Sequence, residues 1–277
     1  MGLNLVFVIC FNMGVAGVAL ATIISQMVSS LLVLMCLIKT DGFVHLNLRR
    51  LRIHRDKMID IARLGLPAGF QGACFSISNV LIQSTVNSYG SVVMAGNSAS
   101  SSLEGFIYVA MNAFHQAAIT FTSTNIGAGK NERIRQPMGA CTVLVTAVGA
   151  VMGLFFGLFM RPLLGIYSPD PAVIDAGMIR LKIFAATYFL CGIMDVFCGM
   201  LRGMGQAVAP MVVSVMGACV FRTVWIYTVL VAFPSLNTLY LSYPISWILT
   251  GGVHLLCYFR TLKRFPVTHE VQPVQSR

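Results

Sequence analysis

The chain is poor in charge. Only 10% of its 277 residues are Asp, Glu, Lys or Arg, against roughly 25% in a soluble domain. With 57% hydrophobic residues, that shortage excludes an ordinary soluble enzyme and points to the membrane class. Acid is scarcer than base, at nine Asp and Glu against 19 Lys and Arg, which leaves a net charge of +10. No Cys-x-x-Cys pair occurs, and no His stands at ligand spacing from a cysteine, so neither a zinc site nor a redox pair is expected. The eight cysteines all lie in apolar stretches and read as inert buried thiols. No long run alternates with period two, which excludes a membrane barrel. His-Glu-x-x-His and the nucleophile elbow are both missing. No basic segment precedes the first apolar run, so a cleaved signal peptide is not expected.

What the chain does have is long apolar runs. A spanning helix needs about 20 mostly apolar residues, and seven stretches qualify: residues 15–38, 65–88, 93–121, 138–160, 178–201, 209–233 and 239–260. Turns such as Asn87-Ser88-Tyr89-Gly90, Ser168-Pro169-Asp170-Pro171 and Phe233-Pro234-Ser235-Leu236-Asn237 separate them. The expected fold is an all-α integral membrane protein with about seven transmembrane helices.

The basic residues fall on alternate connections. Lys39, Arg49, Arg50, Arg52, Arg55, Lys57 and Arg63 crowd the first, and Lys130, Arg133 and Arg135 the third. Arg202 follows the fifth span, and Arg260, Lys263, Arg264 and Arg277 close the chain. The opposite side holds only Arg161, with Arg180 and Lys182 at the start of a span. The positive-inside rule then puts 39–64, 122–137, 202–208 and the C-terminus in the cytoplasm of a multi-pass plasma-membrane protein. The high pI needs no nucleic-acid partner. A short surface helix is expected over 52–62.

Residues 121–132 read FTSTNIGAGKNE and superficially suggest a phosphate loop. That loop needs Gly where Thr124 stands, Ser or Thr where Asn131 stands, and a preceding strand. The glycines are read instead as a helix end, with Lys130 at its negative pole. At the other end, the apolar stretch 3–11 leads straight into the turn at Asn12-Met13-Gly14, so that the first eleven residues make only a partial helix of about 16 Å. Half a span without a partner suggests that Met1 is not the natural boundary of the fold.

Charges inside spans carry the functional signal, since each costs about 2.5–3.5 kcal/mol at a helix centre. Glu104, Asp195 and Arg222 qualify. At 1.5 Å per residue, Glu104 lies about 25 Å and Arg222 about 21 Å from the cytoplasmic end, and Asp195 about 10 Å. The depth match predicts Arg222 as the charge partner of Glu104. Asp195 and Glu104 are the candidates for taking up a proton or sodium ion, because a poorly hydrated cavity favours the neutral or ion-bound carboxylate. Asp195 is the better of the two, since no basic residue shares its level. Asn79 and Gln83 share a helix face, and Asn112, His115 and Gln116 cluster. Both groups are candidates for lining a substrate cavity, with helix packing as the alternative. No cofactor or structural metal is expected.

Several stretches together resemble the multidrug and toxic compound extrusion family. They are MGVAGVALATIISQ (13–26), RLGLPAG (63–69), SISNVLIQSTVNSYG (76–90), EGFIYVAMNAFHQAAITFTSTNIGAGK (104–130) and GMLRGMGQAVAPM (199–211). The resemblance implies a transporter of two six-helix lobes, of which this chain holds part of helix 5 and helix 6 (1–38), a basic inter-lobe linker (39–64), the C-terminal lobe with helices 7–12 (65–264) and a cytoplasmic tail (265–277). Most of the N-terminal lobe would be missing, and would be the chain's natural partner beside lipid and drug-like substrates. The implied activity is secondary antiport, not enzymatic, with amphipathic or cationic compounds leaving in exchange for H+ or Na+. Sodium-coupled members resemble each other in an early carboxylate of this lobe, yet no acid occurs between Arg63 and Gly90. The alternatives are a lipid-linked oligosaccharide flippase of the same superfamily and a non-transporting half-protein. An intramembrane serine protease built on Ser98 and His254 is disfavoured, because the two lie on the order of 20 Å apart in depth.

Overall fold

The computed structural model describes residues 2–40, 46 and 52–265. Parts of the expected linker (41–45 and 47–51) and nearly all of the expected tail (266–277) lie outside the described residues. Within them the chain is helical throughout, with no strand. It divides into two compact units, Met1–Met58 and Ile59–Arg277.

In the first unit, α1 (Gly2–Leu5) passes into a π-helical turn at Val6–Cys10. The chain then turns through Asn12 and Gly14, both at positive φ (49° and 53°), a conformation Asn and Gly adopt at least cost. α2 (Gly14–Lys39) follows. It is apolar on nearly every face, with only Gly17 and Ala21 buried, the pattern of a helix solvated by lipid.

The second unit is built from α3 (Arg55–Asn87, its first turn in the first unit), α4 (Ser91–Gly127), α5 (Arg135–Leu158), the short α6 (Met160–Gly165), α7 (Pro171–Gly203), a broken helix and α11. The broken helix consists of α8 (Val208–Ser214), a π turn (Val215–Val220), α9 (Phe221–Tyr227) and α10 (Val229–Ala232), and α11 is Leu236–Leu262. Each of the seven expected spans coincides with one long helix or with this broken one. Four of the helical stretches, 14–39, 131–158, 171–203 and 208–232, are long and apolar enough to cross a membrane by length and composition. The others, α3, α4 and α11, carry more polar residues, and much of that polarity faces a shared interior. The surface helix expected over 52–62 is instead the beginning of α3. No breaker interrupts the helical run from Arg55 until Pro67, which sits inside α3 as proline can in spanning helices.

α7 is the hub, and α4, α5 and α11 pack on it. Lipid gives no hydrophobic drive between helices, so contact depends on close backbone approach at small residues. At Gly96 a Cβ would stand 2.6 Å from both the Val173 carbonyl oxygen and the Gly177 nitrogen. Ser100 Oγ donates to the Gly177 carbonyl at 2.7 Å in the same crossing. α5 buries one narrow stripe, Cys141, Val145, Gly149, Gly153 and Phe156, and exposes Val143, Leu144, Val151, Leu154 and Leu158.

The Gly-Ala-Gly-Lys stretch ends α4. Gly129 takes φ +68° and Lys130 N donates to the Asn125 carbonyl at 2.9 Å, so these residues form a C-cap that satisfies helix carbonyls.

Candidate functional site

Three helices turn polar stripes toward one space. On α7 the stripe is Arg180, Phe184, Tyr188, Cys191, Asp195, Cys198 and Arg202, spaced by threes and fours, which is one face of an α-helix. On α4 it is Ser101, Glu104, Tyr108, Asn112, His115 and Gln116, and on α3 Gln71, Phe75, Asn79 and Gln83. Ser214, Arg222, Tyr243 and Trp247 complete the wall of a cavity of about 640 Å³. All eight residues singled out in the sequence line this one cavity.

The pairing within it differs from expectation. Glu104 is held by Arg180, not by Arg222. Arg180 Nε donates to Glu104 Oε1 at 2.6 Å and Nη2 to Oε2 at 2.7 Å, a two-pronged charged contact. Its Nη1 donates to Asn97 Oδ1 at 2.6 Å. Tyr240 OH donates to the same oxygen at 3.1 Å, and Asn97 Nδ2 donates to Gln83 Oε1 at 3.0 Å. One network therefore ties α3, α4, α7 and α11. The depth argument paired Glu104 with Arg222 because it placed Arg180 at the mouth of its span. In the structure α7 begins earlier, at Pro171. Asp170 caps it, its carboxylate accepting from Ala172 N at 2.9 Å with Pro at the first turn. That start puts Arg180 nine residues, about 14 Å, into the helix. The signal was present in Asp170-Pro171, a good N-cap followed by a good N1 residue.

Arg222 makes other contacts. Its Nε donates to Ser246 Oγ at 2.9 Å, and its guanidinium lies over the Tyr243 ring at 4.1 Å and near Trp247 at 6.0 Å. The π turn just before α9 resets the helical register by one residue, a change that counting residues along a regular helix does not anticipate.

Asp195 lies mid-stripe on α7, partly buried. Among the described residues, no hydrogen bond or ion pair reaches its carboxylate. Its backbone carbonyl accepts from His115 Nδ1 at 2.6 Å. A carbonyl can only accept, so Nδ1 carries the proton and Nε2 of the neutral ring is left as an acceptor. Gly199 permits this approach, since a Cβ there would meet the His115 carbonyl oxygen at 2.8 Å. Two turns along, Arg202 Nη2 donates to Gln71 Oε1 at 2.8 Å, which connects α7 to α3.

The family model MatE matches residues 67–228, the part of the chain that supplies most of these walls. The chain belongs to the MatE family. Among relatives, it is 24% identical over 254 residues to the probable multidrug resistance protein NorM of Thermotoga maritima, covering 91% of this chain and 52% of that one. It is 28% identical over 216 residues to the probable multidrug resistance protein YpnP of Bacillus subtilis, covering 78% and 48%. The chain thus spans about half the length of the curated relatives it matches. Among solved structures, it superposes on an outward-facing multidrug resistance MATE family transporter of the MOP superfamily with a TM-score of 0.86 at 20% identity. That match covers 96% of this chain and 61% of the other. Both relatives are named as probable multidrug resistance proteins, and the solved structure as a transporter.

Ser98 is exposed, while fully buried His254 sits with Nε2 3.4 Å from Ser214 Oγ, so the two do not form a nucleophile and base. Among the described residues no cluster of His, Cys, Asp and Glu could hold a metal ion. Sequence reading did not select Arg180, Gln71 and Arg202, which line the cavity, or Asn97, which joins the Arg180 network behind it. Asn97 and Arg180 lay too near the expected span ends, and Arg202 and Gln71 gave no signal of meeting.

Proposed function

We propose that the chain is the C-terminal lobe, with the preceding helix and inter-lobe linker, of a secondary multidrug antiporter of the plasma membrane. It exports amphipathic or cationic compounds by alternating access in exchange for protons or sodium ions, and its C-terminus is cytoplasmic. A companion N-terminal lobe completes the transport path. The observation that carries this reading is the unpartnered Asp195 carboxylate in a large polar cavity within apolar helices. An intramembrane carboxylate without a protein partner is costly unless it exchanges partners in its work. Here those partners are a proton or sodium ion in one half-cycle and a cationic substrate in the other.

Glu104, the second candidate, has both oxygens engaged by Arg180. Its part in this reading is to hold the helices at the network, which leaves coupling chiefly to Asp195. Asn79, Gln83, Asn112, His115 and Gln116 offer neutral hydrogen-bonding groups around the substrate.

The test is ethidium efflux from everted vesicles carrying this chain together with its companion lobe, under imposed pH or sodium gradients. Efflux that follows one gradient and is lost in Asp195→Asn supports the assignment. Full efflux by that variant, indifferent to both gradients, overturns it.

A further inference from the structure

The cavity's three arginines are not equivalent. Arg180 is neutralised by Glu104, and Arg202 gives Nη2 to Gln71. Arg222 is 95% buried, being 5% exposed, and lines the same cavity. Among the described residues no carboxylate pairs with it, and its hydrogen bonding is limited to Nε on Ser246. Tyr243 covers the guanidinium at 4.1 Å. With one face stacked and Nε tied, the two terminal amino groups are the part left for a ligand. Arginine keeps its charge in proteins, so the group is a fixed, oriented cation.

We propose that Arg222 is an anion subsite, which receives the acidic headgroup (carboxylate, sulfonate or phosphate) of an amphipathic substrate. The substrate's flat apolar body lies along the aromatic wall. The planar fork of a guanidinium matches the paired oxygens of such groups, and a lysine in its place would not. The wall is already assembled, with Phe184, Tyr188, Tyr243 and Trp247 in mutual ring contact at 4.8–6.0 Å. For a purely cationic substrate, an unpaired guanidinium in the cavity is a repulsive element. For an anion it is the receptor. Asp195, on the α7 stripe, serves the opposite charge. At about 640 Å³ the cavity falls in the range of sites for drug-sized molecules, roughly 300–1,000 Å³. That favours a small organic anion over a lipid headgroup as the occupant.

The inference rests on the transport reading for the word substrate, but its test needs no transport. The full chain in phosphatidylcholine nanodiscs is titrated with anthracene-9-carboxylate and with its neutral counterpart 9-anthracenemethanol. Energy transfer from tryptophan is followed, and of the two tryptophans Trp247 is in the cavity wall. The carboxylate is expected to bind at least about tenfold tighter, or about 1.4 kcal/mol. Arg222→Gln brings the ratio near one, and Arg222→Lys keeps a reduced preference. A ratio near one in the unaltered chain, or an unchanged ratio in Arg222→Gln, overturns the proposal. If Arg222→Gln does not fold, equal ratios in the unaltered chain and Arg222→Lys overturn the fork contact. Replacing part of the lipid with phosphatidylglycerol separates the sources. Undiminished probe binding supports a small organic anion, and displacement of the probe overturns that source in favour of a lipid headgroup. Discriminating binding without efflux would refute antiport alone, and cation efflux with a ratio near one would refute the anion subsite alone.

Discussion

Glu104→Gln removes one charge from the most enclosed ion pair in the cavity wall. The two side chains are 7% and 11% exposed, so little water can replace the lost carboxylate. The amide of Gln can accept from one Arg180 nitrogen, but its other arm is a donor facing a donor. Asn97 still accepts from Nη1, and Phe184 still lies 4.8 Å from the guanidinium, so part of the charge's environment survives. Removing one partner of a buried pair costs about 3–5 kcal/mol. Neutral hydrogen bonds in membranes average only about 0.6 kcal/mol, because the unfolded chain in the bilayer also finds partners. The uncompensated charge therefore dominates, and a loss of about 3 kcal/mol is expected. With about 2–4 °C per kcal/mol for a chain of this size, thermal unfolding in detergent should fall by on the order of 10 °C. The double variant Glu104→Gln with Arg180→Gln should recover much of this, with a coupling energy of about 1–3 kcal/mol. Two results would refute the reasoning. One is a single-variant loss below about 1 kcal/mol. The other is a cycle in which Arg222→Gln couples to Glu104→Gln as strongly as Arg180→Gln does.

Other substitutions test the packing. Gly153→Ala would drive a Cβ into the Ala185 carbonyl oxygen of α7, a backbone atom that cannot rotate away, so a loss of about 1–3 kcal/mol in thermal stability is expected. Tyr258→Phe removes a buried hydroxyl that has no hydrogen-bond partner among the described residues; its melting temperature should be unchanged or higher, and a clear drop would show that the hydroxyl is satisfied. Gln71→Ala breaks the bond from Arg202 at 2.8 Å between α3 and α7. Amide hydrogen exchange should then quicken around residues 65–75 while α5 is unaffected.

The membrane class, the number of long helices and the family were legible in the sequence, because each rests on one-dimensional information. Apolar run length is compared with bilayer thickness, and the motifs recur at fixed separations. The polar residues of the cavity were legible for a related reason. In a chain so short of charge, any polar group within a span stands out, and all eight selected on that ground line one space. Their partners were not legible. Arg180 was read as a residue at the end of a span because the cap at Asp170 was taken as part of a turn. Arg222 was assigned to Glu104 because depth along a regular helix was the only coordinate the sequence supplied.

The sequence by itself determined that these helices lie in lipid and which residues must turn away from it, since desolvation acts on each residue separately. Only the tertiary structure decided which charge meets which. That choice depends on helix rotation, on the π turn at Val215–Val220 and on close crossings such as Gly96 against Gly177. The Arg180–Glu104 contact and the Gly96–Gly177 crossing join residues more than 75 positions apart, and a spacing along the chain carries no record of any of these choices. The pairing of Arg180 with Glu104 follows from that packing, as does the lack, among the described residues, of a charged partner for Asp195 or Arg222.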